Sequence, residues 1–274
     1  MIFDIHTHFW KPEEVDFDSF SDTMKGVNKR FQITSEMHLE ETKAVDKAVV
    51  FGLRAKGFRI SNDTVRAQVD LAPERFAFFT SVDPSENGFM DELERTHIDL
   101  GAKGIKIGPI YQGVHPLDQR FRQIYSYAEK NGLPIITHMA ATFAGDFPLE
   151  YARPIHMDQI AIDYPELKIV LAHMGHPWCD ETTTIIRRHP NVFADISALY
   201  YRPWQFYNTL RILTEYGTAD KVFFGSDFPF TEPEKSIEGL RNVNNVIAGT
   251  NLPEVPSEVI EGILNRDSFG ILGI

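Results

Sequence analysis

The chain has 274 residues, 43% of them hydrophobic, and carries 39 acidic against 27 basic side chains for a formal net charge of −12. That is enough apolar material for a substantial core, in one large α/β domain or two small ones. The acidic excess and the lack of any basic run argue against a nucleic-acid partner, and no apolar stretch is long enough to span a bilayer.

No charged leader followed by an apolar signal segment is visible, so a soluble, cytoplasmic protein is expected. The first ten residues, "MIFDIHTHFW", read as a strand in which Asp4, His6 and His8 share one face while Ile5 and Thr7 take the other. Two imidazoles on one face can bind one metal, and each can equally hydrogen-bond a neighbour. The charged and aromatic stretch from Trp10 to Thr34 is long for a βα loop and is expected to be a lid over a mouth, with a disordered loop as the plain alternative. "SEMHLEETKAV" begins a helix at Ser35. Apolar strands then alternate with amphipathic stretches: "DKAVVFGL", "RFAFFTSVDP", "AKGIKIGPI", "LPIITHMA", "LKIVLAHMG", "VFADISAL" and "KVFFGSDFP". The helix "LDQRFRQIYSYAEKNGLP" ends on Asn131 and Gly132, with Pro134 beyond it.

Eight strands, each followed by a helix, within about the ~250 residues typical of the fold predict a single (β/α)8 TIM barrel domain over residues 1–274. No GxGxxG follows the first strand, which counts against an open dinucleotide-binding sheet. Active sites of such barrels lie at the carboxyl ends of the strands. His6 and His8 end strand 1, His138 strand 5, His173 strand 6 and Asp227 strand 8, and by alternation each can face the barrel axis. Singly, each reads as a satisfied core or loop residue. Together, three histidines and an aspartate suit a zinc ion, with water left in an open position.

In "DIHTH", "PIITH", "LAHMGHPW", "GSDFP" and the closing "EVIEGILNRDSFGIL", the chain resembles the amidohydrolase superfamily over nearly its whole length. Within it, the resemblance is to the amidohydrolase-related branch that includes aminocarboxymuconate semialdehyde decarboxylase and γ-resorcylate decarboxylase. That resemblance implies one divalent metal, zinc first and manganese second, held by His6, His8, His138 and Asp227. It also implies His173 as the general acid or base beside it. A carboxylated Lys106 bridging two metals is the alternative found elsewhere in the superfamily; a substrate or structural contact is preferred here. Relatives in this branch often pair as dimers, and a homodimer is expected on that ground.

Around the centre, Trp10, Phe143, Trp178, Tyr200, Tyr201 and Phe228 lie just past strand ends and could wall a ring-shaped substrate, or simply pack. Trp10, Lys106, Arg153, His176 and Arg202 are candidate substrate contacts, either arginine being able to fork onto a carboxylate. Asp195 reads as an orderer of its neighbours. His38, His97, His115, His156 and His189 read as surface or capping residues, and the lone Cys179, with no basic neighbour in the sequence, as incidental.

The leading functional expectation is hydrolysis of a small amide, ester or lactone by metal-activated water, with His173 moving the proton and Asp227 accepting one. Non-oxidative decarboxylation of an aromatic or unsaturated acid uses the same residues and is the alternative. A metal-binding protein without turnover is a third reading. TatD-like nucleases share the barrel and the HxH start, but the acidic surface and missing basic groove argue against a phosphodiester.

Overall fold

Residues 1–19, 31–142 and 144–274 are described by the computed structural model. The strands are β1 (Phe3–His8), β2 (Lys47–Phe51), β3 (Arg54–Ala55), β4 (Phe58–Arg59), β5 (Phe76–Ser81), β6 (Gly104–Ile107), β7 (Ile135–His138), β8 (Ile169–Ala172), β9 (Val192–Asp195) and β10 (Val222–Phe223). The helices are α1 (Ser35–Glu41), α2 (Asn62–Val69), α3 (Phe89–Ile98), α4 (Pro109–Gln112), α5 (Gln119–Asn131), α6 (His156–Asp163), α7 (Cys179–Arg188), α8 (Pro203–Tyr216), α9 (Pro233–Arg241), α10 (Ser257–Leu264) and α11 (Ser268–Leu272).

All strands but β3 and β4 join one parallel sheet in the order β1-β2-β5-β6-β7-β8-β9-β10, so the eight strands read from the sequence are the eight of the barrel. The chain after β10 closes the ring on β1: Ile5 N donates to Phe224 O (3.2 Å), Asp227 N to His6 O (2.8 Å) and His8 N to Phe228 O (2.7 Å). This closing edge therefore carries three of the expected site residues. Alternation divides the core into two clusters. Ala48, Val50, Phe78, Ile105, Ile135 and Leu171 pack outward under the helices. Val49, Phe51, Phe79, Ile136, Val170, Phe193 and Phe223 belong to the second cluster and fill the barrel, with Phe269 of α11 against Phe3 at its amino-terminal end.

Local signals account for the helix ends. Thr34 Oγ1 accepts Met37 N (3.2 Å) to start α1, and Asp118 Oδ1 accepts Arg120 N (2.9 Å) to start α5. Gly132, at φ +66°, ends α5 in the left-handed conformation that glycine adopts without steric cost.

The expected lid lies partly outside the described residues, as does Phe143. Its two flanks are described: Trp10, Phe17 and Phe31 meet Phe230 with ring centroids 6.0, 6.1 and 4.7 Å apart, and Phe17 meets Phe58 at 5.3 Å. The flanks thus contribute to an aromatic roof. Among the described residues no helix is long and apolar enough to cross a membrane.

Candidate metal centre and cavity

Simple alternation does not hold along β1: Ile5 belongs to the barrel-filling cluster and Asp4 pairs with outward Ala48. A register shift between Asp4 and Thr7 brings His6 and His8 into the mouth of the barrel, where Phe51 supports both rings from β2 at 5.0 and 4.7 Å. His138, at the end of β7, keeps the inward phase of Ile136. His173 corrects the expectation from alternation: it lies one residue past β8 and out of phase with inward-facing Val170 and Ala172. Its backbone, at φ +59°, makes the turn that brings it to the centre. Asp227, at φ +66°, likewise lies beyond β10, whose regular pairing stops at Phe223. Among the described residues the non-glycine positions with positive φ are His173, Met174, Ala198 and Asp227, all at the mouth. Such conformations cost of order 1–3 kcal/mol each and persist where the surroundings enforce them.

Donor atoms of His6, His173 and Asp227 lie within 4.8 Å of one another. Asp227 Oδ1 is 3.4 Å from His6 Nε2 and 3.3 Å from His8 Nε2, and His138 Nδ1 is 3.1 Å from His173 Nε2. His173 thus stands inside the close group, His8 joins it through Asp227, and His138 joins it through His173.

The outer hydrogen bonds fix where the protons sit. Asp195 Oδ2 accepts His6 Nδ1–H (2.8 Å), and Asp195 Oδ1 accepts the Ser197 hydroxyl (2.5 Å). The Ser197 oxygen is then free to accept His173 Nδ1–H (2.7 Å), while Ala140 O accepts His138 Nε2–H (3.1 Å). These assignments leave lone pairs on His6 Nε2, His173 Nε2 and His138 Nδ1, all turned inward. Two lone pairs facing each other at 3.1 Å repel unless a cation or a shared proton lies between them. A divalent ion fits His6 and His138, whose outer N–H groups go to a carboxylate and a carbonyl as metal-binding imidazoles do, while His173, backed by a hydroxyl, is left to take or give a proton.

Electrostatics favour the same protonation. Burial, followed by the charge of Lys106, depresses His138 to about 3 and His6 well below the ordinary range; burial, then His6 and His138, does the same to His173. Burial pushes the Asp227 carboxyl well above its usual range while Lys106 pulls it back, so an anionic Asp227 here needs a cation beside it. Lys106 is itself buried and depressed to about 8; its ammonium donates to His6 Nε2 (3.1 Å) and lies 4.5 Å from the Phe51 ring centroid.

A cavity of about 110 Å³ opens directly over the donors. Trp10, Leu53, Phe58, Ile60 and Phe230 line it with apolar side chains, and Tyr111, Thr142, His176, Tyr201 and Arg202 supply polar ones. Of the candidate substrate contacts, Trp10, Lys106, His176 and Arg202 line the cavity; Arg153 does not. Arg153 is instead paired with Glu181 and stacked on Trp178, 5.2 Å from its ring. Tyr200 packs on Phe206 and donates its hydroxyl to Gly225 O, and Phe228 faces His38, so both serve packing. Asp195 orders its neighbours as expected. His38 corrects the surface reading: it is fully buried among Phe9, Phe76 and Phe228, an imidazole used as an aromatic core side chain. Tyr111, Ser197 and the β3–β4 wall were not singled out by the sequence. The one signal for the wall was "RAKGFR", where Gly57 at φ +75° makes a two-residue turn.

A parallel eight-stranded barrel with histidines and an aspartate converging at its carboxyl-terminal mouth defines a barrel enzyme fold with a metal-capable centre. The sequence model of the Amidohydrolase family matches residues 3–266, and the chain belongs to that family. Curated proteins provide no match. Among solved structures, an uncharacterized TIM-barrel protein of Bordetella bronchiseptica shares 21% identity at a TM-score of 0.75, covering 99% of both chains. A dihydroxybenzoic acid decarboxylase of Polaromonas sp. JS666, with bound manganese and the inhibitor 2-nitroresorcinol, shares 16% at 0.70, covering 99% of this chain and 96% of that one. A probable 2-pyrone-4,6-dicarboxylic acid hydrolase of Acinetobacter baumannii, with citric acid bound, shares 14% at 0.69, covering 100% and 99%. At these identities the likeness is one of fold.

Proposed function

We propose that this protein is a divalent-metal enzyme that decarboxylates a small planar acid, aromatic or conjugated. The observation that carries the reading is the cavity. Ring side chains wall one side, and Arg202 and Lys106 present positive charge. Apolar walls strip water from a carboxylate and so favour its loss as neutral carbon dioxide, a change from localised to dispersed charge. Decarboxylases of hydroxylated benzoates among the similar folds support this choice over hydrolysis, which the sequence alone had put first.

His6, His8, His138 and Asp227 would hold the ion, zinc or manganese. When bound, it supplies positive charge against which substrate oxygens carry developing negative charge. Arg202, stacked 4.4 Å over the Tyr201 ring and donating to Ala198 O, orients an anionic group at the rim. His173 delivers the proton that replaces the carboxyl group. Its Nδ1 donates to Ser197; burial, then His6 and His138, keep the free ring neutral against the opposing charge of Asp195, so the proton is taken up with the anionic substrate in place.

Hydrolysis of a lactone or ester is the second reading, favoured by Asp227 lying beside both His6 and His8 as a buried base and by the hydrolase among the similar folds. Metal-replete protein should be offered hydroxylated benzoates and lactones, with carbon dioxide and ring opening followed together. Carbon dioxide release is expected, with His173→Asn slowing it roughly 10²-fold while retaining metal. Ring opening of a lactone with no decarboxylation of any acid would reverse the assignment.

A further inference from the structure

A second group of donors lies away from the barrel centre. His115 follows α4, Glu150 sits in the 3-10 turn Leu149–Ala152 after β7, and His156 begins α6. One donor atom from each lies within 4.8 Å of the other two. The two imidazoles meet with centroids 4.5 Å apart at 65°, and His156 Nε2 lies 3.8 Å from Glu150 Oε1 and 3.2 Å from the Glu150 carbonyl oxygen. We propose that His115, Glu150 and His156 form a second metal site at the rim, taking zinc or another borderline divalent ion.

Two nitrogens and one carboxylate leave room for water in a four-coordinate shell, the donor set that borderline ions prefer over calcium or magnesium. His156 is half-buried, and burial followed by the charge of His115 lowers its proton affinity, so the ring is neutral at neutral pH; with Nε2–H given to the Glu150 carbonyl, its lone pair is on Nδ1. His115 Nδ1 accepts the Leu117 amide (3.1 Å); ligation through Nε2 gives up that one hydrogen bond in a turn. An ion here fastens two connections that each deliver a cavity residue: α4 carries Tyr111, and the segment after β7 carries Thr142, to which Tyr111 is hydrogen-bonded. The site therefore braces one wall of the cavity without touching its floor.

Chelator-stripped protein titrated with zinc chloride, by calorimetry and by metal analysis after gel filtration, separates this site from the central one. Wild type should take up about two ions per chain, His115→Ala/His156→Ala about one, and His6→Ala/His8→Ala about one. Glu150→Gln, at a side chain 68% exposed, leaves the core untouched and should weaken the rim site alone. Zinc should also slow amide exchange over residues 149–156 in wild type but not in the His115/His156 variant. Uptake of about one ion by wild type, abolished with His115 and His156, would sustain this site and remove the central one. Uptake unchanged by both His115→Ala/His156→Ala and Glu150→Gln would overturn the proposal.

Discussion

Asp195 decides which nitrogen of His6 carries the proton. Its Oδ2 takes His6 Nδ1–H at 2.8 Å, and its Oδ1 collects His173 N (2.9 Å), Ser197 N (3.0 Å) and the Ser197 hydroxyl (2.5 Å). One carboxylate thus holds two inward-facing imidazoles, directly for His6 and through Ser197 for His173. Asp195→Asn keeps the shape but offers His6 an N–H where it needs an acceptor, favouring the tautomer whose Nε2 has no lone pair. Metal affinity should fall roughly 10–100-fold, the usual scale for losing such an outer partner. Competition against a chromogenic chelator measures it, with circular dichroism confirming the fold; wild-type affinity in the variant would show that Asp195 does not set the tautomer.

The β3–β4 hairpin shapes the cavity wall at the level of elements. It interrupts the path from β2 to α2 and brings Leu53, Phe58 and Ile60 over the donors, with Phe58 against Phe17 at 5.3 Å and Tyr111 at 5.8 Å. Phe58→Ala should destabilise the protein by about 3 kcal/mol, the low end for a buried phenylalanine because a surface hairpin can partly collapse. It should raise KM for a ring-shaped acid more than it lowers kcat, since the ring grips ground state and transition state alike. Urea melts and steady-state kinetics check both; an unchanged KM would place the substrate elsewhere. This wall shows why sequence reading reached the barrel and its donors but not the rest of the cavity. Barrel strands are apolar runs flanked by turn signals, and polar residues at their ends stand out. Strands of two residues have no period to read, and α4, which carries Tyr111, is a four-residue helix. Arg153 looked available because Glu181, its partner, is 28 positions away in sequence. His173 was found for its position but not for the reason it points inward, which is a left-handed backbone that no local pattern announced.

Across the whole molecule, buried neutral histidines make stability depend on pH. His6, His8, His38, His138 and His173 are all depressed, with burial as the first cause in each. His38 is the clearest case, because its ring contacts are phenylalanines and its Nδ1 meets the Gln68 amide at 3.2 Å. Burial, then the Arg75 charge, lowers it from 6.5 to about 3. The unfolded chain therefore binds a proton below about pH 6.5 that the folded chain refuses until about pH 3. The contribution is fully present above 6.5 and is lost as pH falls through that window, by up to about 1.4 kcal/mol per pH unit for each such group. Urea melts of chelator-treated protein from neutral pH down to about pH 5 should show falling stability. His38→Leu should begin less stable at neutral pH, having left the Gln68 amide without its partner, yet lose less on acidification. Parallel slopes for variant and wild type would mean that His38 takes up its proton in the folded core, which the phenylalanine cage and Arg75 are arranged to prevent.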